Sequence, residues 1–195
     1  MMDILLKYMS DFTLISEDEQ RAISESLRID EYKKGQYLLR QGELSAIKCY
    51  FVLIGCVRQF FIDESGKEVT SNFFIEEQAI PIINEKTQGD LSKYSLVCVE
   101  DCRLVVGDID SENTMLNKYP QLEIMIRKMM EINVGEIQDQ FGEFIGSSPE
   151  ERYESILRKR PELIERVPQH QLASYLGITP ESLSRIKKRI KKNTL

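Results

Sequence analysis

Glu181, Ser184, Arg185 and Lys188 stand three, one and three residues apart near the end of a 195-residue chain, and six of the eight residues from Arg185 to Lys192 are basic. On a helix that spacing turns them outward together. An Arg guanidinium can meet the O6 and N7 atoms of a guanine bidentately, and a Glu carboxylate can accept from cytosine N4. Glu181, Ser184 and Arg185 are therefore the candidates for reading base edges. Lys187, Lys188, Lys191 and Lys192 suit phosphates, as do Gln169 and His170 just upstream. His170 is the chain's only histidine, and it reads equally well as a solvated surface residue.

Bond-making chemistry has little to work with. The sequence offers no nucleophile–base pair around a histidine, no phosphate-binding glycine loop ahead of a helix, and no metal-ligand spacing. No catalytic residue, no metal and no enzyme activity are expected. The acidic pairs Glu76-Glu77 and Glu150-Glu151 read as solvated surface or helix-start charge.

A pair of helices must present the basic stretch. Pro168 can open the first, with Leu172, Ala173 and Leu176 on its apolar face; Gly177 ends it, since glycine tolerates the left-handed conformation common at helix C-termini. Ile178 fills the angle between the helices. Thr179 can cap the second, with Pro180 at its first position and Leu183, Ile186 and Ile190 facing inward. This is helix-turn-helix patterning, which offers its second helix to the DNA major groove.

Upstream, Ser148, Pro149 and Glu151 make a coherent helix start after a Gly-Ser-Ser boundary. That helix carries Tyr153, Ile156 and Leu157 on one face, and Pro161 stops it. Before the boundary, Met130, Val134, Ile137, Phe141 and Phe144 recur four, three, four and three apart in a long helical stretch that Pro120 can start. The stripe can pack on its own domain or pair with a second copy, and different faces can serve each. Gly135 and Gly142 cost about 1 kcal/mol each relative to Ala inside a helix, or mark close helix approach.

From about 30 to 107 the pattern is one of short strands, at 37–39, 49–54, 57–62, 69–75, 94–99 and 103–106, between glycine-containing turns. Asp63-Glu64-Ser65-Gly66 is turn chemistry for a hairpin. Residues 16–27 read as a helix opened by a Ser16/Glu19 capping box. The fold class expected is α+β. A double-stranded β-helix (β-roll, jelly-roll-like) spans 1–110, a linker and long dimerisation helix 111–146, and a helix-turn-helix domain 147–195. Because the sequence stops five residues after Ile190, that domain is expected to lack a C-terminal wing hairpin.

Charge follows the same division. Residues 149–195 hold 11 Lys/Arg against 6 Asp/Glu, and residues 1–148 hold 15 against 26, within a formal net charge of −6. A polyanion partner is thus expected for the C-terminal part alone. Apolar runs fall well short of the roughly 18–20 residues that span a bilayer, and the N-terminus lacks a basic, then apolar, leader pattern. A cytoplasmic protein without membrane association is expected. Its four cysteines, at 49, 56, 98 and 102, read as buried hydrophobes in or beside strands rather than a disulfide framework.

The segment 172–186 closely resembles the helix-turn-helix of the Crp/Fnr transcription regulators, and Glu181, Ser184 and Arg185 resemble the base-reading signature of its Fnr-like branch. The resemblance continues upstream. Gly35-x-x-Leu38-x-x-Gln41-Gly42-Glu43, Tyr50-Phe51-Val52-Leu53-x-Gly55-x-Val57-Arg58, Asp63-Glu64-x-Gly66-Lys67-Glu68 and Glu100-Asp101-Cys102-x-Leu104 are similar, in order, to that family's cyclic-nucleotide-binding-type roll. It implies a homodimer that reads an inverted repeat in double-stranded DNA and meets RNA polymerase.

The resemblance also implies what the roll does not bind. Cyclic-nucleotide sensors of this family grip ligand with a Gly-Glu turn and an Arg. Here Ile80-Pro81-Ile82 stand at the turn and Ser92 at the Arg, while Lys93 would point to the opposite face of a strand. Cyclic AMP is disfavoured, so another effector or none is expected. Residues 84–93 read as a remodelled lid or a surface excursion. Iron–sulfur members use clustered N-terminal cysteines, and residues 1–48 contain none. The rival reading is a ligand-binding or protein-interaction module whose helical domain docks a protein. An enzyme built on a cupin-like roll would need a metal centre.

Overall fold

The computed structural model describes residues 2–12, 14–45, 47–82 and 91–193. Two helices, α1 (Met2–Phe12) and α2 (Glu17–Ser26), lead into eight strands. These are β1 (Ile29–Tyr32), β2 (Tyr37–Leu39), β3 (Ile47–Ile54), β4 (Val57–Ile62), β5 (Glu68–Phe74), β6 (Ala79–Pro81), β7 (Ser95–Cys98) and β8 (Cys102–Asp108). Then come α3 (Ile109–Lys118), α4 (Gln121–Gly146), α5 (Pro149–Lys159), α6 (Glu162–Arg166), α7 (Gln169–Tyr175) and α8 (Pro180–Asn193).

The strands form two antiparallel four-stranded sheets, ordered β1-β8-β3-β6 and β2-β7-β4-β5. Side chains alternate across a strand, and β3 uses both faces. Tyr50 and Val52 join Leu39, Val57, Phe74, Leu96 and Leu104 in one core. Phe51 and Leu53 join Met9, Ile23, Tyr119 and Leu122 in another, which seats the N-terminal helices and the start of α4. The β4–β5 hairpin closes on Asp63, whose carboxylate accepts from the Ser65 and Lys67 amides, with Gly66 at φ +82°.

Several expectations are corrected. Strands β1 and β6 and helix α3 are additional to the expected elements, because their sequences carry little apolar patterning. The strand expected at 69–75 lies one residue earlier, and that expected at 94–99 is trimmed to Ser95–Cys98. Cys49 is exposed on β3, not buried; Cys56, Cys98 and Cys102 are buried as expected. Leu157 is exposed rather than inward-facing. Of the segment expected at 84–93, residues 84–90 lie outside the described residues, while Ser92 is buried and bonded to its neighbours.

Helix α4, 26 residues long, extends about 39 Å at 1.5 Å per residue. Its first half packs on the roll through Leu122, Met125 and Met129. Its second half carries exposed apolar residues, and α5 follows it after Ser147 and Ser148.

Candidate nucleic-acid interface

Local chemistry builds the helix-turn-helix as its sequence implies. Ser148 and Glu151 form a reciprocal capping box at the start of α5, with Pro149 in the first turn. Helix α7 ends in a Schellman motif: the Ile178 amide donates to Ala173 O and the Gly177 amide to Ser174 O, with Gly177 at φ +70°. Thr179 Oγ1 accepts from the Ser182 amide and caps α8, which Pro180 opens. Leu172, Ala173 and Leu176 of α7 pack against Leu183 and Ile186 of α8, over Tyr153, Ile156, Leu163 and Val167.

That packing fixes which way α8 faces. With Leu183, Ile186 and Ile190 inward, the opposite stripe is Glu181, Arg185, Lys188 and Lys192, all exposed. Lys191, Gln169 and His170 are exposed too. Ser184 and Lys187 are half-buried on the flanks, and the Lys187 amine lies 5.9 Å from the centre of the Tyr153 ring. Arg185 Nη2 donates to Ser182 Oγ at 3.2 Å. The Glu181 carboxyl is held below the ordinary carboxylate range, first by its own backbone amide, then by the Thr179 hydroxyl and nearby Arg185. It is an anion on an open surface, able to accept from a donor. Arg189 is spoken for by Glu150 at the start of α5.

The long helix brings the stripe Met130, Val134, Ile137, Phe141 and Phe144 to the surface, with Val134 54% and Phe141 66% exposed. A Cβ added at Gly135 or Gly142 would meet nothing within 4 Å. The described residues of the roll leave this face exposed.

Sequence reasoning missed the residues that join the two halves. Strand β5 is a sheet edge, and α7 covers it. The Ser174 hydroxyl accepts from the Thr70 amide at 3.0 Å and donates to Glu68 O at 3.1 Å, taking the place of a neighbouring strand. Arg160 donates to Phe73 O, and the Phe73 and Tyr175 rings meet edge-on at 5.4 Å. Arg166 donates to both Glu76 oxygens, at 2.8 and 2.9 Å, and to Glu100. Burial raises the Glu76 carboxyl, but Arg166 and the Gly55 amide together bring it below its ordinary value. No sequence-local signal marks these contacts, since the partners stand 66 to 106 residues apart.

In the roll, Ile80 is fully buried in the core, Pro81 pairs with Cys49, and Ser92 donates to Tyr94 O while its backbone holds Gly42 and Glu43. The buried Arg58 is bonded to Thr70 and Glu68. Burial pushes the Cys56 thiol up to about 12. The facing Cys102 sulfur, followed by burial, raises Cys98.

Comparison with known proteins agrees with this geometry. Residues 29–119 match the family described as the cyclic nucleotide-binding domain. The transcriptional activator protein Anr of Pseudomonas protegens is 23% identical over 175 residues, covering 84% of this chain and 70% of Anr. The structure of the c-di-GMP responsive global regulator CLP of Xanthomonas campestris superposes with a TM-score of 0.70 at 15% identity, over 92% of this chain and 94% of CLP. A crp/fnr-family regulator structure from Eubacterium rectale gives 0.66 at 14% identity, over 92% of this chain and 85% of that one. No helix among the described residues is long and apolar enough to cross a membrane. Residues 29–119 are thus similar to the cyclic nucleotide-binding domain family, and the chain shares its fold with the CLP and Eubacterium rectale regulator structures.

Proposed function

We propose that this protein is a sequence-specific DNA-binding transcription regulator, acting in the cytoplasm as a homodimer whose roll responds to an effector other than cyclic AMP. One observation carries the reading: the second helix of the helix-turn-helix keeps Glu181, Arg185, Lys188 and Lys192 in a single exposed stripe, while the first helix is occupied by the β5 edge. Arg185 and Glu181 supply base-edge partners, with Ser184 on the flank. Lys188, Lys191, Lys192, Gln169 and His170 supply charge or hydrogen bonds for phosphates, and Lys187 joins them from the flank.

The exposed apolar half of α4 supports pairing with a second copy. Paired there, two reading helices would lie about 34 Å apart, one turn of duplex, and read an inverted repeat. Cyclic AMP is a poor partner for this roll, because Ile80 is core, Pro81 has no amide to donate, and Ser92 spends its hydroxyl on Tyr94. The Pseudomonas relative's name, transcriptional activator, agrees with a regulatory role.

Selection of bound duplexes from a random pool, with and without a small-molecule extract of cells, tests the proposal. Enrichment of an inverted repeat with half-sites one helical turn apart is expected, and its affinity should respond to the extract. Equal binding to selected and random duplexes would overturn the reading.

A further inference from the structure

We infer that Arg152 is a positioning residue that fixes the reading unit against the long helix, and thereby sets which half-site separation the paired chains accept. The inference rests on the DNA-binding reading and adds spacing selectivity to it.

Three segments meet on this one guanidinium. Arg152 Cζ lies 3.8 Å from the centre of the Phe144 ring, two residues before α4 ends. Its Nη1 donates at 3.0 Å to Leu176 O, the C-terminal cap of α7. The turn glycine completes the joint: a Cβ at Gly177 would stand 3.2 Å from Phe144 Cζ and 3.4 Å from Arg152 Nη1. Thus the end of α4, the first turn of α5 and the helix-turn-helix turn are in mutual contact.

The chemistry is specific to arginine. A planar guanidinium can stack on an aromatic face while one edge donates in a set direction, which an ammonium cannot do. The C-terminal end of α7 carries the negative end of its dipole and favours that cation. Arg152 Nε is buried with no hydrogen-bond partner among the described residues. Stacking and the single Nη1 bond therefore hold the side chain in place.

Arg166 and Ser174 tie the reading unit to its own roll. Arg152 instead ties it to the last turn of the helix whose apolar stripe, at Val134, Ile137 and Phe141, is open to a second copy. A neighbouring tie, Lys159 Nζ to Glu143 Oε2 at 2.8 Å, braces α5 on α4 but does not reach the turn. Without Arg152, only the Phe144–Gly177 contact among the described residues links the turn to α4, and the two reading helices of a pair would sample more separations.

The test uses the full chain and duplexes carrying two inverted copies of the half-site selected by wild type, set apart by spacers of graded length, beside a single half-site. Wild type should favour one spacer. Arg152→Ala should keep the half-site sequence and the single-half-site affinity. Its preference for the best spacer over one a base pair longer should fall by about threefold or more, the scale of one cation–π interaction. Arg152→Lys, which keeps the charge but neither the planar stack nor the directed donor edge, should do the same, and it carries the test if Arg152→Ala does not fold by circular dichroism. A spacer profile as sharp as wild type in folded variants, or an equal loss at every spacing and on the single half-site, overturns the role of Arg152 alone. A wild type that selects no inverted repeat overturns the DNA reading and this inference with it.

Discussion

Replacing Arg166 with methionine removes the centre of the tie between the helix-turn-helix unit and the roll, and the structure sets the size of the effect. The Arg166 side chain is 23% exposed and faces Glu76 and Glu100, each about one-third exposed. Breaking a fully buried ion pair by removing one partner costs about 3–5 kcal/mol, whereas a surface pair is worth about 0–1 kcal/mol. A three-membered cluster between those limits should cost roughly 2–3 kcal/mol, since Arg166→Met leaves two carboxylates facing each other. For a chain of this length that is about 4–12 °C in Tm, read by calorimetry at pH 7. The pH dependence gives a second check. Glu76 sits below its ordinary value of 4.5 in the folded protein, so its contribution is fully present above that value and fades as pH falls through the lower folded value. Wild type should lose more stability than Arg166→Met between pH 7 and pH 3.5. A variant within about 0.5 kcal/mol of wild type at pH 7 (a threshold at the edge of ordinary surface substitutions), or one with an unchanged pH profile, would mean that Arg166 does not hold the two halves together.

Three other changes test separate links. Ile137→Glu places a charge in the exposed apolar stripe of α4 and should shift the chain to monomers in sedimentation without unfolding it; a persistent dimer would place the interface elsewhere. Lys191→Ala and Lys192→Ala should weaken all duplexes similarly, and each should lower the slope of log affinity against log salt by about one, the share of a single neutralised phosphate. Ser148→Ala removes the capping hydroxyl of α5 and should cost about 1 kcal/mol in denaturant unfolding.

The features visible in the sequence are those settled within four or five residues. The Ser16/Glu19 and Ser148/Glu151 boxes, the Asp63–Gly66 turn, and the Gly177–Thr179–Pro180 junction are local hydrogen-bond and backbone problems, and each forms as its residues imply. Weakly patterned strands are not visible there. Ile-Asp-Glu-Tyr of β1 and Ala-Ile-Pro of β6 exist because β8 and β3 supply their hydrogen bonds, so tertiary context overrides propensity. The candidate DNA-facing residues can be named because helical spacing alone separates outward from inward positions. Arg152, Arg160, Arg166 and Ser174 cannot. On an isolated amphipathic helix each reads as a solvated polar residue, and only the fold brings Phe144, Phe73, Glu76 or the β5 edge to it. Cys49 shows the reverse error, since an apolar neighbourhood in sequence does not ensure burial on a two-faced strand.

Base reading by α8 is tested most directly by an anisotropy titration of wild type and Arg185→Ala against the duplex that wild type selects and its single-base-pair variants. Arg185→Ala should lose roughly 1–3 kcal/mol on the selected duplex and no longer discriminate at one guanine, while its preferences elsewhere persist. Unchanged affinity and unchanged discrimination in a folded Arg185→Ala protein would contradict the claim that α8 reads DNA.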